Sequence, residues 1–201
     1  ARLDLNDRIA DAIEKADLDP DQQALLEKLL GKDYDVITAD DRLDKLAEDF
    51  VEHCATRWET GKSMLVCIDK ITCARMFQRI EPRWRAKLAN LQGRIPGMEA
   101  ELAAAADPDV RERLGAQLAS LRRQVQWMDS TIIEIVISEA QNEPRDFQKW
   151  SFDIIPHRVV MKTGFQTPAG KRVTVAAAFQ DPHHPFRTAI SSSIWLTGSD
   201  L

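Results

Sequence analysis

Ser63-Met64-Leu65-Val66-Cys67-Ile68-Asp69 is a short, nearly continuous apolar run, bounded by Gly61-Lys62 before it and by polar residues after it. Such a run suits a strand buried on both faces of a parallel sheet. Residues 70–80 follow with Ile71, Ala74, Met76, Phe77 and Ile80 on or near one helical face, so strand then helix opens a βαβ unit. Two later stretches extend the sheet. Thr131–Ile137 is strongly β-branched, and Phe186–Ser192 also reads as strand.

Between the first and second strands the pattern changes period. Trp84, Leu88, Leu91, Ile95, Met98 and Leu102 fall at alternating steps of four and three, as do Leu114, Leu118, Leu121, Val125 and Met128. Asp107-Pro108-Asp109 lies between the two sets, where Asp can cap a helix and Pro can take its first position. The spacing predicts an antiparallel helical hairpin over about residues 83–128, its arms packed by heptads. Gly93, Pro96 and Gly97 predict a kink or break in the first arm.

Upstream, Leu5, Ile9 and Ile13, then Leu25, Leu26, Leu29 and Leu30, predict helix on either side of a break at Asp19-Pro20. Asp40-Asp41 opens another helix through Leu43, Leu46, Ala47, Phe50 and Val51 to near Trp58, its acidic first turn suited to the helix dipole. Downstream, residues 144–150 read as a short helix. Asp153 to Gly170, with Pro156, Gly164, Pro168 and Gly170, reads as loop. Val173–Phe179 stays open between strand and helix. The expected class is α/β: a parallel sheet with flanking helices and an inserted helical hairpin, preceded by N-terminal helices. Residues 1–60 form the helical lead-in and 61–201 the sheet domain.

Composition narrows the function. The chain has 201 residues, 44% hydrophobic and 29% charged, enough for a packed core. A net charge of −5 excludes a histone-like, purely electrostatic nucleic-acid binder. The acid is uneven: residues 1–50 carry −8 and residues 51–201 carry +3. No apolar run is long enough for a membrane-spanning helix, and no charged-then-apolar leader follows Ala1, so neither a membrane segment nor a signal peptide is expected. Cys54, Cys67 and Cys73 fit a reduced, cytoplasmic protein better than a disulfide scaffold.

Several chemistries fail on spacing. Thr60-Gly61-Lys62-Ser63 holds the GKS of a phosphate loop, but Thr56 stands where the first glycine belongs, and the motif precedes its strand. Gly164 to Lys171 misses by one residue, and Arg172 replaces the magnesium-holding hydroxyl. His53, His157, His183 and His184 form no HExxH, no CxxC accompanies them, and no metal site is expected. No GxSxG elbow occurs. The residues alone hold no complete catalytic constellation.

Four collinear blocks go further. Ile37-Thr38-Ala39-Asp40-Asp41-Arg42-Leu43-Asp44-Lys45-Leu46-Ala47-Glu48-Asp49-Phe50-Val51-Glu52-His53 resembles the stretch before the second motor lobe in type I restriction enzyme R subunits. Lys62 to Cys73 resembles helicase motif IV of that family. Ser138-Glu139-Ala140-Gln141-Asn142-Glu143 and Pro156-His157-Arg158 are similar to further family patterns. Asp181-Pro182-His183-His184-Pro185-Phe186-Arg187, running on to Trp195-Leu196-Thr197-Gly198-Ser199-Asp200, resembles motif V, with Ser199 where the family carries Phe. The blocks lie between about Ile37 and Asp200; the first 30 residues add nothing.

The resemblance implies a RecA-like sheet, the second lobe of a superfamily 2 DNA translocase within an ATP-dependent type I deoxyribonuclease. It implies ATP and magnesium in the parent enzyme, with none bound by this part alone. Implied partners are double-stranded DNA, the first RecA-like lobe and nuclease domain of the same chain, and methylation and specificity subunits. Thr197, Gly198 and Asp200 would meet the ATP cleft; Lys70, Thr72, Arg158 and Arg187 would contact DNA. With no phosphate loop, nuclease motif or motif VI in the 201 residues, the chain reads as a fragment truncated at motif V and inactive by itself.

Plainer readings stand beside this. Gly198 can end a strand, Asp200 can cap a helix and Thr197 can be packed. Arg79, Arg83, Arg85, Lys87 and Arg94 suit either DNA phosphates or a solvated helix face. Two other classes therefore stay open: a non-catalytic module docking a partner through the hairpin, and a freestanding nucleic-acid binder.

Overall fold

The computed structural model describes residues 31, 33–139, 143–166 and 170–192. The helices expected before Leu30 lie outside these. Residues 33–37 are helical and lead into α1 (Asp40–Thr56), which buries Leu43, Ala47, Val51, Cys54 and Ala55. A 3-10 turn (Trp58–Thr60) and Gly61, at φ 99°, swing the chain into β1 (Ser63–Cys67). Then come α2 (Lys70–Ala104), α3 (Pro108–Ser130) and β2 (Ile132–Val136). The chain continues through α4 (Glu143–Gln148), α5 (Ile155–Thr163), β3 (Phe165–Gln166), β4 (Arg172–Val173), α6 (Val175–Gln180) and β5 (Phe186–Ser192).

The expected α/β class holds at this level. β1, β5 and β2 form a three-stranded parallel sheet with β5 in the centre, and β3 and β4 form a small antiparallel ribbon. β5 is buried almost throughout, with Phe186, Ala189 and Ile190 fully enclosed. One face packs Leu65, Ile135 and Ile190 against α1, α2 and the aromatic side chains of Phe147 and Phe152. The other packs Phe186, Ala189 and Val136 against Val175 and Ala178 of α6. Both faces of the central strand are covered, whereas β1, whose apolar run predicted burial on both faces, is corrected to an edge strand with Val66 exposed.

The hairpin is present, but its first arm is not separate. α2 runs unbroken for 35 residues from the sheet into the hairpin, with Pro82 and Pro96 inside it, so the expected break is corrected. A proline withholds one donor from the ladder. At Pro82 the carbonyl left without its amide is that of Gln78. Packing carries the helix through this point, because Ile80, Trp84 and Leu91 are buried on both sides of the proline. Trp84 also donates its indole N–H to the Met128 carbonyl of α3 at 3.1 Å. Asp107 caps α3 through the amides of Asp109 and Val110, and Pro108 takes the first position, as expected.

A second correction concerns Asp153–Gly170. Pro156 sits in the first turn of α5, where its fixed φ favours helix, and Asp153 accepts from the Ile155 amide. Gly164 ends the helix at φ 69°, beside the Val173 carbonyl of the neighbouring ribbon strand. Val173–Phe179 resolves into the end of β4 and most of α6, with Thr174 capping the latter through the Ala177 amide.

α5 packs at the end of β2. The Ile137 amide meets the Met161 thioether at 3.3 Å, and Arg158 donates to the carbonyls of Ile137 and Ser138 at 2.6 and 2.7 Å. The backbone just past the strand thereby gains side-chain partners, and α5 is fastened to the carboxyl end of β2.

Candidate functional site

Parallel pairing sets the geometry of the candidate site. Cys67 faces Ser192 and Val136 faces Ser191, so all three carboxyl ends reach one edge of the sheet. Ligands of open α/β sheets gather at such an edge. There Asp69 caps α2, accepting from the Thr72 amide at 2.6 Å, and accepts the Tyr34 hydroxyl proton at 2.5 Å. Burial, with the hydrogen bond and negative charge of Asp69, pushes the Tyr34 phenol up to about 12. The Asp69 carboxylate takes the positive end of α2 for itself, so that terminus is not open to an anion.

The sequence-derived DNA candidates do not converge. Lys70 is half-buried at the carboxyl edge and makes no hydrogen bond or ion pair among the described residues. Thr72, two residues on, is 4% exposed and points no hydroxyl to the outside. Arg158 lies near the same edge but spends its guanidinium on the end of β2. Arg187 is at the opposite, amino edge, donating to the Trp127 carbonyl, Ser130 and Thr131 at 3.0–3.1 Å. Thr197, Gly198 and Asp200 lie outside the described residues, as do Ala140, Gln141 and Asn142.

The basic row of the hairpin is largely neutralised from within. Asp40 pairs with Arg75 at 3.0 Å and with Arg79, and Asp44 pairs with Arg83 at 2.7 Å. Glu52 pairs with Lys87 at 2.6 Å, and Glu81 pairs with Arg85. The acidic α1 thus lies against the basic start of α2. The hydrogen bond from Arg75 holds the Asp40 carboxyl below its ordinary range. Lys62, from the failed phosphate-loop motif, binds the carbonyls of Ala178 and Phe186 at 2.5 and 2.9 Å. It ties α6 to β5.

Two arrangements escaped the sequence reading. Glu134 of β2 accepts from His157 Nδ1 of α5, their side chains only 10% and 12% exposed. His157 stacks on Phe152 at 5.3 Å and meets the edge of Phe77 at 4.7 Å. A glutamate in a β-branched strand and a histidine 23 residues on carried the signal, but nothing in either segment specified the partner. The other is the junction of Tyr34 with Asp69, formed across 35 residues.

Cys54, Cys67 and Cys73 are free and buried, and a hydrogen bond with Cys67, together with burial, pushes the Cys73 thiol up. Among the described residues no cluster of His, Cys, Asp and Glu is able to hold a metal ion, and no helix is long and apolar enough to cross a membrane. No family model, curated protein or solved structure matches the chain.

Proposed function

We infer that the chain supplies the second RecA-like lobe of a DNA translocase of the type I restriction R-subunit kind. The observation that carries this reading is the pairing of β1 with β5. They are the strands that the resemblance assigns to motif IV and to the approach to motif V. They are parallel neighbours, registered from Ser63 opposite Thr188 to Cys67 opposite Ser192. Loops that must act together on DNA and nucleotide therefore leave the sheet at one edge. The lobe's work is positioning and charge compensation, which is most of what phosphoryl-transfer motors require of a protein.

Lys70 is the DNA-facing cation of this reading, and Asp69 and Tyr34 hold the helix start that carries it. Thr197, Gly198 and Asp200 are the residues proposed to meet ATP, and the phosphate loop and magnesium ligands belong to a companion lobe. The chain alone hydrolyses no ATP on this view. The paired arginines on α2 count against a freestanding binder that uses Arg83 and Lys87.

Duplex binding tests the assignment. Fluorescence anisotropy with a 20-base-pair probe should show binding that weakens with salt. Lys70→Ala should lower the slope of log affinity against log salt by about 1, the signature of one lost phosphate contact. Arg83→Ala should leave the slope unchanged, because its charge is already met by Asp44. Absence of duplex binding, or a larger effect at Arg83 than at Lys70, would overturn the reading.

A further inference from the structure

The amino edge of the sheet, opposite the edge assigned above, holds a cleft that the motor reading does not use. It encloses about 410 Å³ between the 3-10 turn after α1, the end of α3 and the start of β5. That volume falls within the ordinary range of small-molecule sites, about 300–1,000 Å³. Trp58, Glu59, Trp127, Pro182, His183 and Arg187 line it.

Arg187 is placed there by a break in register. Ile132 faces Phe186 and Ile133 faces Thr188, so Arg187 is the extra residue on β5. Bulges of this kind re-aim a side chain, often beside a functional site. The guanidinium lies over the Trp127 ring at 5.3 Å. Nη1 alone serves the Trp127 carbonyl, Ser130 and Thr131. Nε and Nη2 make no hydrogen bond among the described residues, which leaves two adjacent donors held in a fixed plane. Beside them is Glu59, exposed and without an ion pair among the described residues. Trp58 offers a half-buried aromatic face.

This set selects its ligand by exclusion. A phosphate or carboxylate would meet Arg187 but be repelled by Glu59. A purely apolar ring would leave both charged groups unpaired in the cleft, which costs free energy. A flat ring with two adjacent acceptors on one edge and donors on another satisfies both Arg187 and Glu59. Guanine presents that pattern: O6 and N7 accept from a bidentate guanidinium, while its Watson–Crick edge donates to a carboxylate. Tryptophan supplies stacking, which any base accepts.

We propose that the Trp58–Glu59–Arg187 cleft binds a guanine base, with Arg187 on O6 and N7, Glu59 on the Watson–Crick edge and Trp58 stacked on the ring. The base comes either from a free nucleotide or from a single strand, and duplex DNA does not present it because its Watson–Crick edge is already paired. The site is independent of the motor assignment, since it uses neither Lys70 nor the carboxyl edge.

Tryptophan fluorescence titrations of the full chain with guanosine and adenosine 5′-monophosphate test this. Guanosine monophosphate should quench emission and bind about tenfold tighter than adenosine monophosphate, the discrimination expected of a good bidentate contact. Glu59→Ala should reduce that preference without erasing it, because Arg187 still reads O6 and N7. Arg187→Lys should weaken guanosine monophosphate by about tenfold and remove most of the preference, since an ammonium cannot bridge two acceptors. Should Arg187→Lys fail to fold by circular dichroism, Glu59→Ala and Trp58→Ala, both at accessible side chains, decide the matter. Tighter binding of a seven-thymidine strand with one central guanine assigns the site to single-stranded nucleic acid; tighter binding of the mononucleotide assigns it to free nucleotide. Equal affinity for the two mononucleotides, displacement by inorganic phosphate at equal concentration, or binding unchanged in Trp58→Ala would each overturn the proposal.

Discussion

Replacing Glu134 with leucine probes the contact that fastens α5 to the sheet. The carboxylate accepts from two donors, His157 Nδ1 and the Ile135 amide. Leucine fills a similar volume but accepts nothing, so both donors are stranded where the Glu134 and His157 side chains are only 10% and 12% exposed. A buried donor without a partner costs about 1–3 kcal/mol. Removing a buried carboxylate returns part of its desolvation cost, which brings the net loss to about 3 kcal/mol. For a chain of this size that corresponds to a fall of about 6–12 °C in melting temperature.

Equilibrium urea unfolding followed by far-ultraviolet circular dichroism measures the loss, with Glu134→Gln as the control that keeps an acceptor. Glu134→Leu combined with His157→Leu should cost less than the sum of the single changes by about 1–3 kcal/mol, because the stranded imidazole is gone. The reasoning fails if Glu134→Leu costs less than about 0.5 kcal/mol, or if the double variant is additive within that margin.

Three further outcomes follow from particular contacts. Gly164→Ala forces a side chain into positive φ and against the Val173 carbonyl, and should cost about 2 kcal/mol in urea unfolding. Ile190→Ala empties the fully enclosed middle of the central strand, and should cost about 2–5 kcal/mol in the same assay, with an unchanged fold by circular dichroism. The third is a pH dependence. The folded Asp40 carboxyl titrates below its ordinary 3.8, so its stabilising contribution is present above that value and is lost as pH falls through the lower folded one. Asp40→Asn should accordingly be less stable than wild type near neutrality. In unfolding curves the gap should begin to narrow only below about pH 4 and close once the pH has passed the lower folded value.

Local pattern made much of the architecture legible. β5 was readable to its end residues, and β1, β2, α1 and both hairpin arms were readable because each carries a clear period or apolar run. The apolar run of β1 suggested burial on both faces because it does not say where in the sheet the strand sits, and it is an edge strand. Two further failures share one cause. Pro96 suggested a break and Pro156 a loop, yet a proline's effect depends on its position in the turn and on what packs around it. At Pro82 the buried Ile80 and Trp84 carry the helix through, and beside Pro96 the half-buried Ile95 and Met98 pack against the core; at Pro156 the ring sits where the first turn welcomes it. The site was less legible, since its contacts are long-range. Arg83 reads as a free cation until Asp44, 39 residues earlier, is folded against it. Arg187 reads as a DNA ligand until the register break places it with Trp127 at the far edge of the sheet. Thr72 looks like an exposed hydroxyl in the sequence because burial in the first turn of α2 leaves no local trace.

One consequence of the unbroken α2 is mechanical. Its 35 residues make a rod about 50 Å long whose base is pinned beside Lys70 and whose far end is the hairpin tip. α1 clamps the near portion through Arg75, Arg79, Arg83 and Lys87, and so acts as a fulcrum. A tilt of about 5° about that fulcrum would sweep the tip, about 35 Å away, through about 3 Å, or roughly half the pitch of one helical turn. Whatever loads the carboxyl edge of the sheet therefore has a lever by which to be felt at the other end of the molecule.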